Sequence, residues 1–148
     1  MLQQNLILPA TMGKLVTITP SDPAAGADFS FAVPVNTIIL PLSFTIQLET
    51  DATAVTRTFS TVCFDGTDKF FRCYSQKLHT ASLTFAYTCQ IANNQLPTNA
   101  NFYWQVLNMS PYQFLRFGDS FQTSVTELQA GDELTSPVLR YMQWIQES

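Results

Sequence analysis

The sequence predicts an all-β protein: one antiparallel β-sandwich, jelly-roll-like, of about eight to nine strands. Three observations carry that reading. Apolar residues recur at every second position in run after run, the period of a strand with one buried face. Turn-forming Gly, Pro, Asn and Asp punctuate the runs at short intervals. No stretch holds a helical period long enough for an ordinary helix, although Asn36–Leu40 and Pro111–Phe117 have the composition of single turns. Two packed sheets fit better than a lipocalin-like barrel, because several connections are long and contain proline.

The elements follow in chain order. Lys14–Thr19 is a first strand, closed by Pro20-Ser21-Asp22-Pro23 and Gly26. Phe29–Val33 and Leu42–Glu49 alternate apolar with small polar residues. Thr56–Phe64 and Lys69–Leu78 flank Asp65-Gly66, the strongest hairpin signal in the chain. Ala81–Ile91 places Leu83, Phe85, Tyr87, Cys89 and Ile91 on one face and Ser82, Thr84, Ala86, Thr88 and Gln90 on the other. A long loop over residues 92–99 leads to the aromatic run Phe102-Tyr103-Trp104. Phe121–Leu128 is a weaker strand, because Glu127 falls on the Phe121/Val125 face. Pro137–Ile145 closes the fold. At 148 residues the chain is one domain: residues 13–148 form the sandwich, and residues 1–12 are an N-terminal arm.

Composition excludes several classes. Charged residues are 12% of the chain, about half the ~25% usual for globular domains, with 18 Thr and 12 Gln among the residues that replace them. A net charge of −4 with 46% apolar residues argues against disorder and against a nucleic-acid partner. The N-terminus lacks a basic region ahead of Leu6-Ile7-Leu8, so it does not read as a signal peptide. The stretch from Val33 to Leu42, broken by Pro34, Asn36 and Pro41, is too short to span a membrane. Cys63, Cys73 and Cys89 read as reduced core thiols of a protein made in a reducing cytosol.

Chemistry-bearing patterns are sparse. His79 is the single histidine, so a Ser-His-Asp or Cys-His centre would have to use it, with one of the three thiols as nucleophile. It stands at a strand end beside Thr80, where an exposed loop histidine is expected. No nucleophile elbow, zinc-protease helix, phosphate loop or dinucleotide fingerprint occurs. Zinc-type cysteine spacing is absent, and Asp65-Gly66-Thr67-Asp68 offers only two carboxylates to a calcium ion that wants 6–8 oxygens. Asp51, Asp65, Asp68, Asp119, Asp132 and Glu133 sit beside turn residues and read as turn carboxylates rather than a glycosidase pair. The expectation is therefore a non-enzymatic protein with no catalytic residue, metal or cofactor.

Contact surfaces are the remaining signal. Phe102-Tyr103-Trp104 and Tyr112-Gln113-Phe114-Leu115-Arg116-Phe117 are too aromatic to be buried entirely by one small core. A surface poor in Lys and Glu suits packing against neighbours more than solitary exposure. The apolar N-terminal residues and the strand end at Trp144-Ile145 have the character of arms or edges held by a partner. The expected contact residues are Leu6, Ile7, Leu8, Tyr112, Phe114, Phe117 and Trp144.

The punctuation of the chain resembles that of small bacteriophage virion proteins. The resemblance rests on Thr17-Ile18-Thr19-Pro20, Ala25-Gly26, Val33-Pro34, the run from Leu48 to Arg57, and Phe64-Asp65-Gly66. In the second half it rests on Leu115-Arg116-Phe117-Gly118-Asp119, Gln129-Ala130-Gly131-Asp132 and Arg140-Tyr141-Met142-Gln143-Trp144. These are turn-and-strand motifs without a chemical signature, and no functional residue is carried over. The resemblance implies a β-sandwich structural subunit of a tailed-phage virion assembled in the host cytoplasm. A capsid decoration or cement subunit is the foremost expectation; a neck or tail accessory subunit and a carbohydrate-binding adhesin using Tyr103, Trp104 or Tyr112 are the alternatives. Expected partners are the major capsid protein or other virion proteins and further copies of the chain, as a trimer or dimer, with no nucleic acid and no membrane.

Overall fold

The computed structural model describes residues 13–91 and 104–146, which form ten strands and no helix. In chain order they are β1 (Lys14–Ile18), β2 (Ser30–Ala32), β3 (Thr37–Glu49), β4 (Arg57–Phe64), β5 (Lys69–His79), β6 (Thr84–Ile91), β7 (Trp104–Met109), β8 (Leu115–Arg116), β9 (Ser120–Thr123) and β10 (Glu133–Ile145). Two sheets pack face to face. One runs β1-β10-β3-β6-β7 with β8 attached to β3; the other runs β2-β9-β4-β5. Every pairing is antiparallel except β6 with β7.

The expected hairpin at Asp65-Gly66 joins β4 to β5. Asp65 Oδ1 accepts from the backbone of Thr67 (2.8 Å) and Asp68 (2.7 Å), and Gly66 takes φ +94°. Three segments differ from the sequence expectation. Asn36–Leu40 is no helical turn: Asn36 adopts φ +55° and β3 starts at Thr37. Pro41 stays inside this central strand because it falls where β3 needs no donor. Toward β10 it borders a register shift, and on the other edge it lies between the residues bonded to β8 and those bonded to β6. The strand expected over Phe121–Leu128 ends at Thr123 as a regular strand. Ser124 and Thr126 still bond to Ser60 and Thr58 of β4, but Thr58 N donates to Thr126 Oγ1 in place of a backbone carbonyl. The Asp28 carboxylate accepts from Thr123 Oγ1 and Val125 N. The tenth strand is β8, two residues within a stretch that reads as a turn.

The core lies between the sheets. Phe44 on β3 stacks on Phe29 at 5.0 Å between ring centroids and meets Phe121 on β9 edge-on at 5.1 Å. Phe59 on β4 stacks flat on Tyr87 of β6 at 3.9 Å. These rings, with Ile46, Leu48, Leu107, Leu115, Leu134 and Leu139, are buried. Their burial is the principal stabilising term, each aromatic removing ~150–250 Å² from water.

One charged group is as deeply buried as the rings. Arg57, the first residue of β4, has no exposed surface and uses all five of its N–H donors. Nε and Nη2 donate to Asp132 at 2.9 and 2.8 Å, Nη2 also donates to Asp51 at 2.7 Å, and Nη1 donates to the carbonyls of Thr53 and Val55. Asp132 in turn accepts from the backbone N–H of Asp51 and of Gln129, both at 2.8 Å. Burial opposes the charge on Arg57, yet hydrogen bonds and attraction from Asp132 and Asp51 outweigh it and raise its pKa. Burial likewise opposes ionisation of Asp132, but the bonds from Arg57 and the two backbone amides hold its carboxyl below the usual range. Gly131 is required here, because a Cβ at that position would lie 2.8 Å from Asp51 Oδ2.

Arg57→Met leaves Asp132 buried without its cation and is expected to lower unfolding free energy by about 3–5 kcal/mol in urea titrations. Adding Asp132→Leu should recover part of that loss but not all, because the amides of Asp51 and Gln129 then lose their acceptor.

Candidate functional site

Strand order sorts the loops into two ends. The Arg57–Asp132 pair occupies one. The other is formed by the β2–β3 connection, the end of β10, the β7–β8 loop and the β8–β9 turn, held together by register. Ile145 stands opposite Thr37, Trp144 opposite Ile38, and Ile38 opposite Arg116 on its other side. Gln146 N donates to the Asn36 carbonyl at 2.7 Å.

This end is apolar. Tyr112 is 80% exposed, Ile145 68%, Val35 63% and Phe117 60%. Beneath them the half-buried rings of Phe114 and Trp144 meet at 5.8 Å, and the backbone of Gly13 passes so close that a Cβ there would lie 2.6 Å from the indole. The turns present these side chains rather than fold them inward. Asp119 Oδ2 accepts from Arg116 N at 2.9 Å while Asp119 N donates to the Arg116 carbonyl, and Gly118 at φ +97° turns the chain, leaving Phe117 at the tip. Ser110 Oγ accepts from Tyr112 N at 3.3 Å on the far side of the loop.

Four of the expected contact residues, Tyr112, Phe114, Phe117 and Trp144, therefore converge on one surface. Leu6, Ile7 and Leu8 lie outside the described residues, as do Phe102, Tyr103 and the side chain of Trp104. Val35, standing between Pro34 and Asn36, joins the cluster without a signal of its own in the sequence. Only the pairing of β10 with β3 brings it beside Ile145.

His79 is not an exposed loop residue. It is fully buried at the end of β5, where Arg57 is its cross-strand partner. Its ring lies 3.9 Å from that of Phe85, a hydrogen bond joins Nε2 to Tyr87 Oη, and Nδ1 has no partner. The bulge at Ser75–Lys77 adds two residues to β5, an even number, so the inward face of Phe71, Cys73 and Ser75 continues to His79. Burial, and after it the positive charges of Arg57 and Lys77, push the imidazole down to about 4. The three cysteines are free thiols. Burial pushes Cys63 up to about 12 and raises Cys73 and Cys89, which keeps all three protonated and weakly nucleophilic at neutral pH. Among the described residues no three His, Cys, Asp or Glu side chains are grouped to hold a metal ion. Asp65 and Asp119 serve their own turns as expected, but Asp51 and Asp132 also bind Arg57.

A folded-state value of about 4 against the ordinary 6.5 means the unfolded chain takes up the proton first. Stability should be full above pH 6.5 and fall between pH 6.5 and about 4, by on the order of 3 kcal/mol at the 1.36 kcal/mol per unit of linkage. Asp132, whose carboxyl is depressed, adds a further loss below that window. Urea titrations across pH should show the first step, and His79→Phe should remove it while leaving the second.

In comparisons with family models, curated proteins and solved structures, nothing matches this chain.

Proposed function

We propose that this protein is a non-enzymatic structural subunit of a tailed-phage virion, with a jelly-roll-like sandwich as scaffold, acting as a capsid decoration or cement protein. The observation that carries the reading is the apolar end, where Val35, Tyr112, Phe117 and Ile145 stand exposed around Phe114 and Trp144. Exposed apolar clusters of this kind mark contact sites, and aromatic residues are enriched at the centres of interfaces. Two features make the patch suited to rigid docking. Its side chains are set by short, hydrogen-bonded turns at the tips of paired strands. Its floor is continuous with β3 and β10, the two longest strands.

The mechanism is mechanical. Each copy buries this end against shell proteins, and the binding free energy exists only in the assembled particle, which stabilises it relative to its parts. Many copies on one lattice allow each contact to be modest.

Purified chain should co-sediment with particles stripped of accessory proteins and raise their heat tolerance. Tyr112→Asp with Phe117→Asp, both at exposed positions, should weaken that association at least about tenfold while leaving circular dichroism and the melting temperature unchanged. Equal binding by the double variant, or the absence of the chain from purified virions by mass spectrometry, overturns the proposal.

A further inference from the structure

A second surface lies on the outer face of β5, a strand that starts beside the β8–β9 turn and runs toward the opposite end of the sandwich. Phe71 and Cys73 turn inward against the core, so Phe70, Arg72 and Tyr74 point outward, and beyond the Ser75–Lys77 bulge Leu78 does too. Phe70, Tyr74 and Leu78 are exposed large apolar side chains on one strand at the edge of its sheet. The same strand carries Lys69, Arg72 and Lys77, three of the seven Lys and Arg of the chain. The rest of the sequence is left with four cations against eleven Asp and Glu. A basic, aromatic strip thus sits on an otherwise acidic molecule.

The outer face of the other sheet is its complement. There β3, β6 and β10 present Gln47, Thr45, Thr84 and Thr135, and at one end of this polar face Glu49 and Glu133 stand directly opposite each other, both exposed. Like charges at directly opposed positions of an antiparallel pair destabilise the sheet. The described residues show no ion pair to either carboxylate, the salt bridges being those of Arg57 with Asp51 and Asp132. A cation delivered from outside removes the repulsion.

We propose that the β5 strip of one copy packs on the Glu49/Glu133 face of a second copy, with Arg72 set between the two carboxylates and Phe70 and Tyr74 covering the threonine-rich surface beside them. The two surfaces differ, so the contact is head-to-tail, and it closes into a ring when the rotation between copies permits. Charge complementarity selects the second copy as occupant: the strip is basic, the Glu49/Glu133 end of the opposing face is acidic, with Arg140 further along that face opposite Ser43, and both surfaces belong to the same chain. This contact uses neither Tyr112 nor Phe117, so it stands independently of the docking proposed for the apolar end.

Sedimentation velocity on the purified full chain tests it. The wild type should associate in a concentration-dependent way and dissociate as salt is raised, since the link is between charges at a solvent boundary. Arg72→Glu should weaken association at least about tenfold without changing the melting temperature. The triple variant Arg72→Glu, Glu49→Lys, Glu133→Lys reverses both sides of the contact in one chain and should restore association. A monomeric wild type overturns the proposal, and so does a strip that binds single-stranded oligonucleotide in place of a second copy. Association that survives Arg72→Glu, or that the triple variant fails to restore, overturns it as well. Particle binding by the monomeric Arg72→Glu variant separates a failure here from a failure of the docking proposal.

Discussion

The guanidinium of Arg57 ties together three stretches that are distant in sequence: the β3–β4 connection at residues 51–55, the first residue of β4, and the turn before β10. Its charge is acceptable in the interior because every donor finds an acceptor and because Asp132 is itself saturated by two backbone amides. The consequence reaches beyond that end of the molecule. β4 belongs to one sheet and β10 to the other, so the ion pair sets where each sheet begins relative to its neighbour. The two central strands, β3 and β10, then run their full thirteen residues to the opposite end. There their register decides which side chains meet: Ile145 with Thr37, and Trp144 with Ile38.

The two ends of the sandwich are chemically different for this reason. One holds Arg57, Asp51 and Asp132, whose charges are satisfied inside the protein, with Glu49 and Glu133 exposed on the outer sheet face beside them. The other is closed by turns that expose aromatic and aliphatic side chains. His79 belongs with the first end. It is buried beside Arg57, with one ring nitrogen bonded to Tyr87 and the other unpartnered, so acid acts on the same region through the imidazole and through the carboxylate. A domain of this size gains most of its stability from apolar burial. The polar knot contributes alignment between the sheets, and its loss is severe because of the charge that would remain buried.

The alternation in Leu42–Glu49 and Ala81–Ile91 made the core faces of β3 and β6 legible, since a period of two is imposed by the pleat itself and needs no tertiary information. The Asp65-Gly66 hairpin was legible for a related reason: the Asp carboxylate and the glycine φ satisfy the turn locally. The segments that differed are those where a distant group decides. The regular ladder of β9 stops at Thr123, where Thr58 N finds the Thr126 hydroxyl and Asp28 takes the Val125 amide, and Pro41 remains in a strand because neither neighbour asks it for a hydrogen bond there. His79 was misplaced because the strand was expected to end at Leu78; β5 in fact runs one residue further, and the alternation of Phe71 and Cys73 then carries His79 onto the core face.

For the candidate site, the aromatic density of Tyr112–Phe117 and the aromatic Trp144 near the end of β10 marked candidate contact residues from composition alone. Composition cannot say which of them share a surface, and it was silent on Val35. By itself the sequence determined the all-β class, the position of the strongest turn and the identity of the inward faces, because these follow from residue spacing and local backbone chemistry. The tertiary structure alone decided the pairing of Arg57 with Asp132, the burial of His79, and the convergence of Val35, Tyr112, Phe117 and Ile145 on one end. Each of these depends on strand register, which brings together residues that no local interaction connects.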